Sequence, residues 1–176
     1  NAQTYTLIAT DSTGCVFSTN ATIINPLPLN FTSVSQTNAL CFGDSNGTIS
    51  LAMNGGTGIY TFAINPLPTS NNTGLFNSLP TNTYTINVTD ANNCSISTTV
   101  NITQPSLVSG IILSAQNVTC FGDSNGACSV LASGGYSPYQ YSLIPTTLTN
   151  GLGVFNNIVA GIYTVDVTDN VGCTQQ

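Results

Sequence analysis

The stretch Cys41-Phe42-Gly43-Asp44-Ser45-Asn46-Gly47 returns unchanged as Cys120-Phe121-Gly122-Asp123-Ser124-Asn125-Gly126, 79 residues later. A second signature keeps the same interval. Tyr5, Thr10, Asp11 and Cys15 recur as Tyr84, Thr89, Asp90 and Cys94, and again as Tyr163, Thr168, Asp169 and Cys173. Gly55-Gly56 and Gly134-Gly135, Tyr60 and Tyr139, Phe76 and Phe155, and Pro26 and Pro105 obey it without any insertion. Self-similarity at one long period marks an array of a single small module. Residues 1–28 read as the last third of one repeat, 29–107 as a complete repeat, and 108–176 as a repeat lacking its last strand. A chain that starts and stops inside a repeat reads as a window of a longer protein.

Around the quoted stretch the pattern is that of β-structure. Gly-Asp-Ser-Asn-Gly supplies positive-φ positions and side chains that hydrogen-bond nearby backbone, so it is a turn. Ile49, Leu51 and Met53 then alternate with Thr48, Ser50 and Ala52, as do Tyr60, Phe62 and Ile64, and Tyr84, Ile86 and Val88. Period-two alternation bounded by turn residues predicts half-buried strands. Leu29 to Val34 reads as the first strand and 66–74 as an irregular connection. No stretch has a helical period. About seven short strands with turns every 8–12 residues predict an all-β fold of tandem immunoglobulin-like β-sandwich repeats, arranged head to tail. Tyr84 and Tyr163 have the spacing of tyrosine corners, in which the hydroxyl bonds back to the backbone between the two sheets.

Composition removes several function classes. Lys, Arg, His and Glu are absent, and six Asp carry all the side-chain charge. Without cations the chain cannot neutralise phosphates, so nucleic acid is no partner. It has no electrostatic hold on anionic lipid. No apolar run is long enough to span a bilayer, and no signal peptide is visible at Asn1. Trypsin has no cleavage site. Catalysis requires a tuned acid, base, nucleophile or metal; Asp residues copied into repeated turns do not suit it, and the expectation is no enzyme. Sequons at Asn20, Asn30, Asn46, Asn71, Asn87, Asn93, Asn101 and Asn117 follow from a composition rich in Asn and Thr.

Six Cys, five of them on the repeat, suit an oxidising compartment. No Cys-x-x-Cys pair or His is present to build a structural zinc site. Within one sandwich, Cys41 falls at the bottom and Cys94 at the top, about 25 Å apart for a strand of about eight residues. A disulfide requires Cα atoms within about 7 Å. In a head-to-tail array the bottom of one module touches the top of the next, so Cys41 is expected to meet Cys173. Cys15, Cys94 and Cys120 would then have partners partly or wholly beyond residues 1–176. A different strand assignment allows Cys41–Cys94, and free thiols are the remaining reading. Cys128 replaces Ile49 and points inward as a small hydrophobe. The same junction would bring Asp44 and Asn46 close to Asp169 and Asn170. Their oxygens can hold Ca²⁺ or simply brace turns; no other cofactor is expected. Asp166 replaces Asn87 on an outward, solvated face. Tyr136 and Pro138 are loop candidates for stacking on a sugar, where the other repeat has Thr57 and Ile59.

The order Cys-Phe-Gly-Asp-Ser-Asn-Gly, Gly-Gly-x-x-x-Tyr, Leu-x-x-x-x-Tyr-Thr-x-x-Val-Thr-Asp-x-x-x-Cys and Gln-Pro resembles the SprB repeat. Asn93 stands where the usual Gly precedes Cys, and Cys128 is extra. That family builds very long surface adhesins in gliding Flavobacterium-like bacteria. The resemblance implies export by type IX secretion, attachment outside the outer membrane, and adhesins carried by the gliding motor. It implies neighbouring repeats, an external surface or polysaccharide, and the gliding and secretion machinery as partners. The expected function is a structural stalk that extends an adhesive region and transmits force. The alternative is that the repeats themselves bind surface polysaccharide multivalently.

Overall fold

Residues 2–176 are described by a computed structural model. Among the described residues all sixteen elements are strands. β1 (Gln3–Thr10) and β2 (Val16–Ile23) form an antiparallel hairpin. β3 (Asn30–Thr37), β4 (Gly47–Asn54) and β7 (Leu75–Leu79) form one sheet, in that order. β6 (Thr69–Asn71), β5 (Thr61–Asn65), β8 (Asn82–Thr89) and β9 (Ser95–Ile102) form a second. The pattern then repeats. β10 (Ser109–Gln116), β11 (Gly126–Ser133) and β14 (Val154–Ile158) make a three-stranded sheet. β13 (Leu148–Asn150), β12 (Gln140–Ile144), β15 (Thr164–Thr168) and β16 (Thr174–Gln175) make a four-stranded one.

The alternation read from the sequence is the alternation of burial. Tyr84, Ile86 and Val88 on β8 are buried, as are Phe62 and Ile64 on β5, while their neighbours face out. In the last repeat one core joins both sheets: Val130, Ala132 and Phe155 from one, Tyr141, Leu143 and Val167 from the other. The Tyr141 hydroxyl accepts the Ala132 N–H across that core at 3.1 Å. Phe76 and Leu79 are both buried although three residues apart, which is off the strand period. Ser78 absorbs the extra residue in the left-handed region, at φ 57°, beside a register shift between Gly47 and Ile49. Asn157 repeats that device at φ 57°.

Four sequence expectations change. The first strand of the complete repeat runs Asn30–Thr37 rather than from Leu29 to Val34. Residues 66–74 contain β6, paired with β5. The last repeat does begin a final strand, since β16 pairs with Val167 and Thr168. Asp166 is not simply solvated: its Oδ1 is buried without a hydrogen-bond partner, because the carboxylate lies on a strand flanked on both sides by others.

The chain folds as two compact units. The first holds the residues up to Val34 with Leu51–Gly74 and Thr85–Thr98; the second holds Ser35–Ser50, Leu75–Tyr84 and Thr99–Gln176. In the first, the repeated Gly-Gly acquires its reason. A Cβ on Gly55 would lie 1.9 Å from the Pro28 carbonyl oxygen, and one on Gly56 would lie 2.8 Å from Asp90 Oδ2. One glycine admits the incoming linker and the other admits a carboxylate. Gly134 and Gly135 do the same for Leu107 and Asp169 in the second unit.

The Tyr84 hydroxyl donates to the Pro80 carbonyl at 2.9 Å, and that of Tyr163 to Val159 at 3.0 Å. Burial pushes the Tyr84 phenol above its ordinary pKa. Tyr84→Phe keeps the ring packing and removes only the donor. It is expected to cost about 1 kcal/mol, and Tyr163→Phe less because that ring is half exposed. Urea titrations of the two variants check this.

Candidate functional site

The second unit contains a covalent link between residues far apart in the chain. Cys41 and Cys173 form a disulfide with Cα atoms 5.6 Å apart across 132 residues of sequence. Cys41 comes from the turn between β3 and β4 of the complete repeat; Cys173 comes from the turn between β15 and β16 of the next. This is the inter-repeat pairing that strand geometry favours, and it leaves Cys94 as a free thiol.

Both turns are held from within. The Asp44 carboxylate accepts the Cys41 N–H at 3.3 Å and Asn46 Nδ2 at 2.9 Å, and Asn46 Oδ1 accepts the Leu40 N–H at 3.0 Å. Gln104 Oε1 accepts the Gly43 N–H at 2.8 Å, and Asn38 Oδ1 accepts the Thr103 N–H at 3.0 Å. These tie the Cys41 turn to the linker that leads into the next repeat. On the other side, Asp169 Oδ1 accepts the N–H groups of Val171 at 3.0 Å and Cys173 at 2.9 Å, and its Oδ2 accepts that of Tyr136 at 2.9 Å. Asp169 is buried. Burial pushes its pKa up, but the N–H donors of Tyr136, Cys173, Val171 and Gly172 together outweigh it and hold the carboxyl below the ordinary value.

The same arrangement stands in the turns between β8 and β9 and between β1 and β2. Asp90 accepts from Thr57, Asn92 and Cys94; burial raises its pKa, and the Cys94, Thr57 and Asn92 donors more than reverse that. Asp11 is lowered first by the Thr13 hydroxyl and then by the Cys15 and Thr13 amides. Three consecutive Asp-x-x-x-Cys turns are therefore built alike. The turn's left-handed position is Gly14 at φ 86° and Gly172 at φ 94°; Asn93 serves there at φ 64°. Asn tolerates this region better than most residues, so its departure from Gly is structurally neutral.

The Asp44, Asn46 and Asp169 oxygens proposed as cation ligands accept from N–H groups of backbone and, for Asp44, of the Asn46 side chain. Asn170 uses its N–H to reach the Tyr136 carbonyl at 2.8 Å. Among the described residues, no group of three or more Asp, Glu, His or Cys side chains converges. Cys15, Cys94 and Cys120 are exposed thiols, and Cys128 is half-buried against the last core, where burial pushes its pKa up. Tyr139 donates to the Gly134 carbonyl at 2.6 Å, and Tyr136 and Pro138 stand exposed in the adjoining loop.

Sequence reasoning missed the work of the second-signature aspartates. Asp90 and Asp169 bind their own turns, β8–β9 and β15–β16, to the Gly-Gly loop 33 residues back. Their co-occurrence with Gly-Gly on the common interval was the available signal.

Comparison with known proteins places one family on this geometry. The family model of the SprB repeat matches residues 33–69 and 112–148, each beginning within the first strand of a sandwich and running through the Cys-Phe-Gly-Asp-Ser-Asn-Gly turn and Gly-Gly. No curated protein matches the chain.

Proposed function

From the premise that this chain carries SprB repeats, we propose that it is a section of stalk. SprB repeats belong to cell-surface adhesins and are structural rather than enzymatic. In the proposed reading the repeats extend an adhesive region away from an outer-membrane surface and transmit force to it during surface attachment or gliding. Type IX export and contact with the gliding machinery would involve other regions of such an adhesin. The observation that carries the reading is the Cys41–Cys173 disulfide. A covalent bond between one repeat and the next resists separation under tension where packing alone would yield. The exposed half-junctions at Cys120 and Phe121, and at Cys15 and Cys94, then await the complementary turn of further repeats. Free thiols at those places become disulfides of the same kind in a longer array.

Single-molecule stretching of the oxidised chain tests this. The segment between Cys41 and Cys173 is expected to contribute no contour length until reductant is added. Release of that segment without reductant would remove the stalk reading.

Binding is the second reading, and it rests on Tyr136 and Pro138, which are exposed together in one loop. Sugar rings stack on such surfaces, and weak sites add through multivalency. A glycan panel probed with the chain and with Tyr136→Ala discriminates: retention lost in the variant favours binding, and a blank panel favours the stalk.

A further inference from the structure

We propose that Asn54-Gly55, at the end of β4, is a site of spontaneous covalent modification, in which the Gly55 nitrogen attacks the Asn54 side chain and the asparagine becomes aspartate or isoaspartate. Asn is a thermally labile side chain, and a following glycine favours attack because it has no Cβ to shield its nitrogen. The chain has four Asn-Gly pairs, at Asn46, Asn54, Asn125 and Asn150. The fold guards three of them. Asn46 Oδ1 accepts the Leu40 N–H and its Nδ2 donates to Asp44, while Gly47 is buried in β4 opposite Leu79. Asn125 Oδ1 accepts the Thr119 N–H and its Nδ2 donates to the Thr119 hydroxyl, while Gly126 is buried opposite Ile158. Asn150 Oδ1 accepts the N–H groups of Leu152 and Gly153, and its Nδ2 donates to the Val154 carbonyl. Asn54 differs. It is the exposed last residue of β4, and Gly55 lies beyond the ladder at φ 76°. Among the described residues, neither the Asn54 carboxamide nor the Gly55 N–H makes a hydrogen bond. No such bond has to break before the two atoms meet; the Asn54 backbone has only to rotate. The fold of the repeat itself exposes this position. Its counterpart Ser133 is exposed too, in the unit where the Cys41 turn is bonded to Cys173. Serine has no carboxamide, so the last repeat lacks the reaction.

The Gly55 nitrogen bonds to Asn54 Cγ, its proton leaves with the side-chain nitrogen as ammonia, and a cyclic imide remains. Water then opens the ring. Cleavage between the nitrogen and Cγ gives aspartate, and cleavage between the nitrogen and the backbone carbonyl carbon gives isoaspartate. One water is consumed, one ammonia is released, and nothing is oxidised or reduced. Isoaspartate carries the backbone through the side chain and inserts one methylene ahead of Gly55. That glycine is tightly seated. The Pro28 carbonyl oxygen lies 1.9 Å from where its Cβ would be, the Tyr60 hydroxyl donates to its carbonyl at 2.6 Å, and the next N–H, of Gly56, donates to the Leu27 carbonyl at 2.6 Å. The longer backbone and the new carboxylate therefore loosen the seat of the linker in the complete repeat, slowly and in one direction. The reaction requires neither the disulfide nor a role in a stalk.

In the test, the oxidised full chain is incubated in warm, mildly alkaline buffer, sampled over time and digested with pepsin in acid, where the reaction stops. Mass spectrometry reads the conversion of each asparagine. Asn54 is expected to convert more than about tenfold faster than Asn46, Asn125 and Asn150, because the hydrogen bonds that hold those three must break first. Two products of equal mass, aspartate and isoaspartate, should separate on chromatography, with isoaspartate in excess. In urea the four rates should converge. Asn54→Ser, which installs the residue of the last repeat, should remove the fast conversion and leave the other three rates as they were. Comparable conversion at any guarded pair of the folded chain overturns the proposal. So does an Asn54 that stays intact in the folded chain while the urea-unfolded chain converts. Aspartate without isoaspartate, the mark of direct hydrolysis, overturns the attack by Gly55. A rate order that persists in urea places the cause in the neighbouring residues and overturns the role of the fold.

Discussion

Replacing Cys41 or Cys173 by serine is expected to lower the stability of the oxidised chain by about 2–5 kcal/mol. The bond closes a loop across 132 residues, and a long loop lies at the upper end of the entropic stabilisation that cross-links provide. Urea unfolding of each variant, followed with and without reductant, measures it. The parent should shift on reduction and the variants should not. Cys94→Ser and Cys120→Ser serve as controls and should leave the midpoint unchanged, because those thiols are free and exposed. An equal effect at Cys94 would mean that Cys41 exchanges partners in solution. Non-reducing mass mapping of the Cys41–Cys173 peptide, after cleavage by a protease other than trypsin, identifies the bond directly.

The second large effect concerns Asp169. Asp169→Ala removes the acceptor from three backbone N–H groups, those of Tyr136, Val171 and Cys173. Unsatisfied buried donors cost about 1–3 kcal/mol each, and water entering the space left by the side chain recovers part of that. The melting temperature is expected to fall by about 10 °C. Asp169→Asn retains one acceptor oxygen and should fall between parent and Ala. The effect reaches the disulfide, because Asp169 shapes the turn that presents Cys173. Reduction should therefore proceed faster in Asp169→Ala than in the parent.

Acid acts on the same groups. Asp169, Asp90 and Asp11 all have carboxyl pKa values held below the ordinary one in the folded chain. A depressed folded value means the unfolded chain binds protons more readily. Stability is then fully present above the unfolded value, about pH 4, and is lost as pH falls through the folded values. With neither His nor Lys in the chain, no opposite trend is expected between about pH 5 and pH 8. A melting series over that range should be flat, with decline below it in acid.

The repeat interval, the strands and the turns were legible in the sequence because each is a local property. Tyr84, Ile86 and Val88 announce a half-buried strand through their own spacing, whatever lies opposite them. The spacing of Tyr84 and Tyr163 likewise carried the hydroxyl bonds to Pro80 and Val159, since donor and acceptor are four residues apart. Cys41 and Cys173 were within reach of reasoning because strand length limits which ends can meet. Other features depend on segments brought together only by folding. Asp44 and Asp169 look alike as free carboxylates in the sequence, yet each is consumed by amides of its own turn and, for Asp169, by one from the Gly-Gly loop. The short strand β6, the buried oxygen of Asp166 and the extra residue absorbed at Ser78 follow from sheet registration. Sequence by itself determined the module, its interval, its strand alternation and its turns. Tertiary structure decided which cysteines bond and where each carboxylate spends its lone pairs, because hydrogen bonds and packing need the distances between residues remote in the chain.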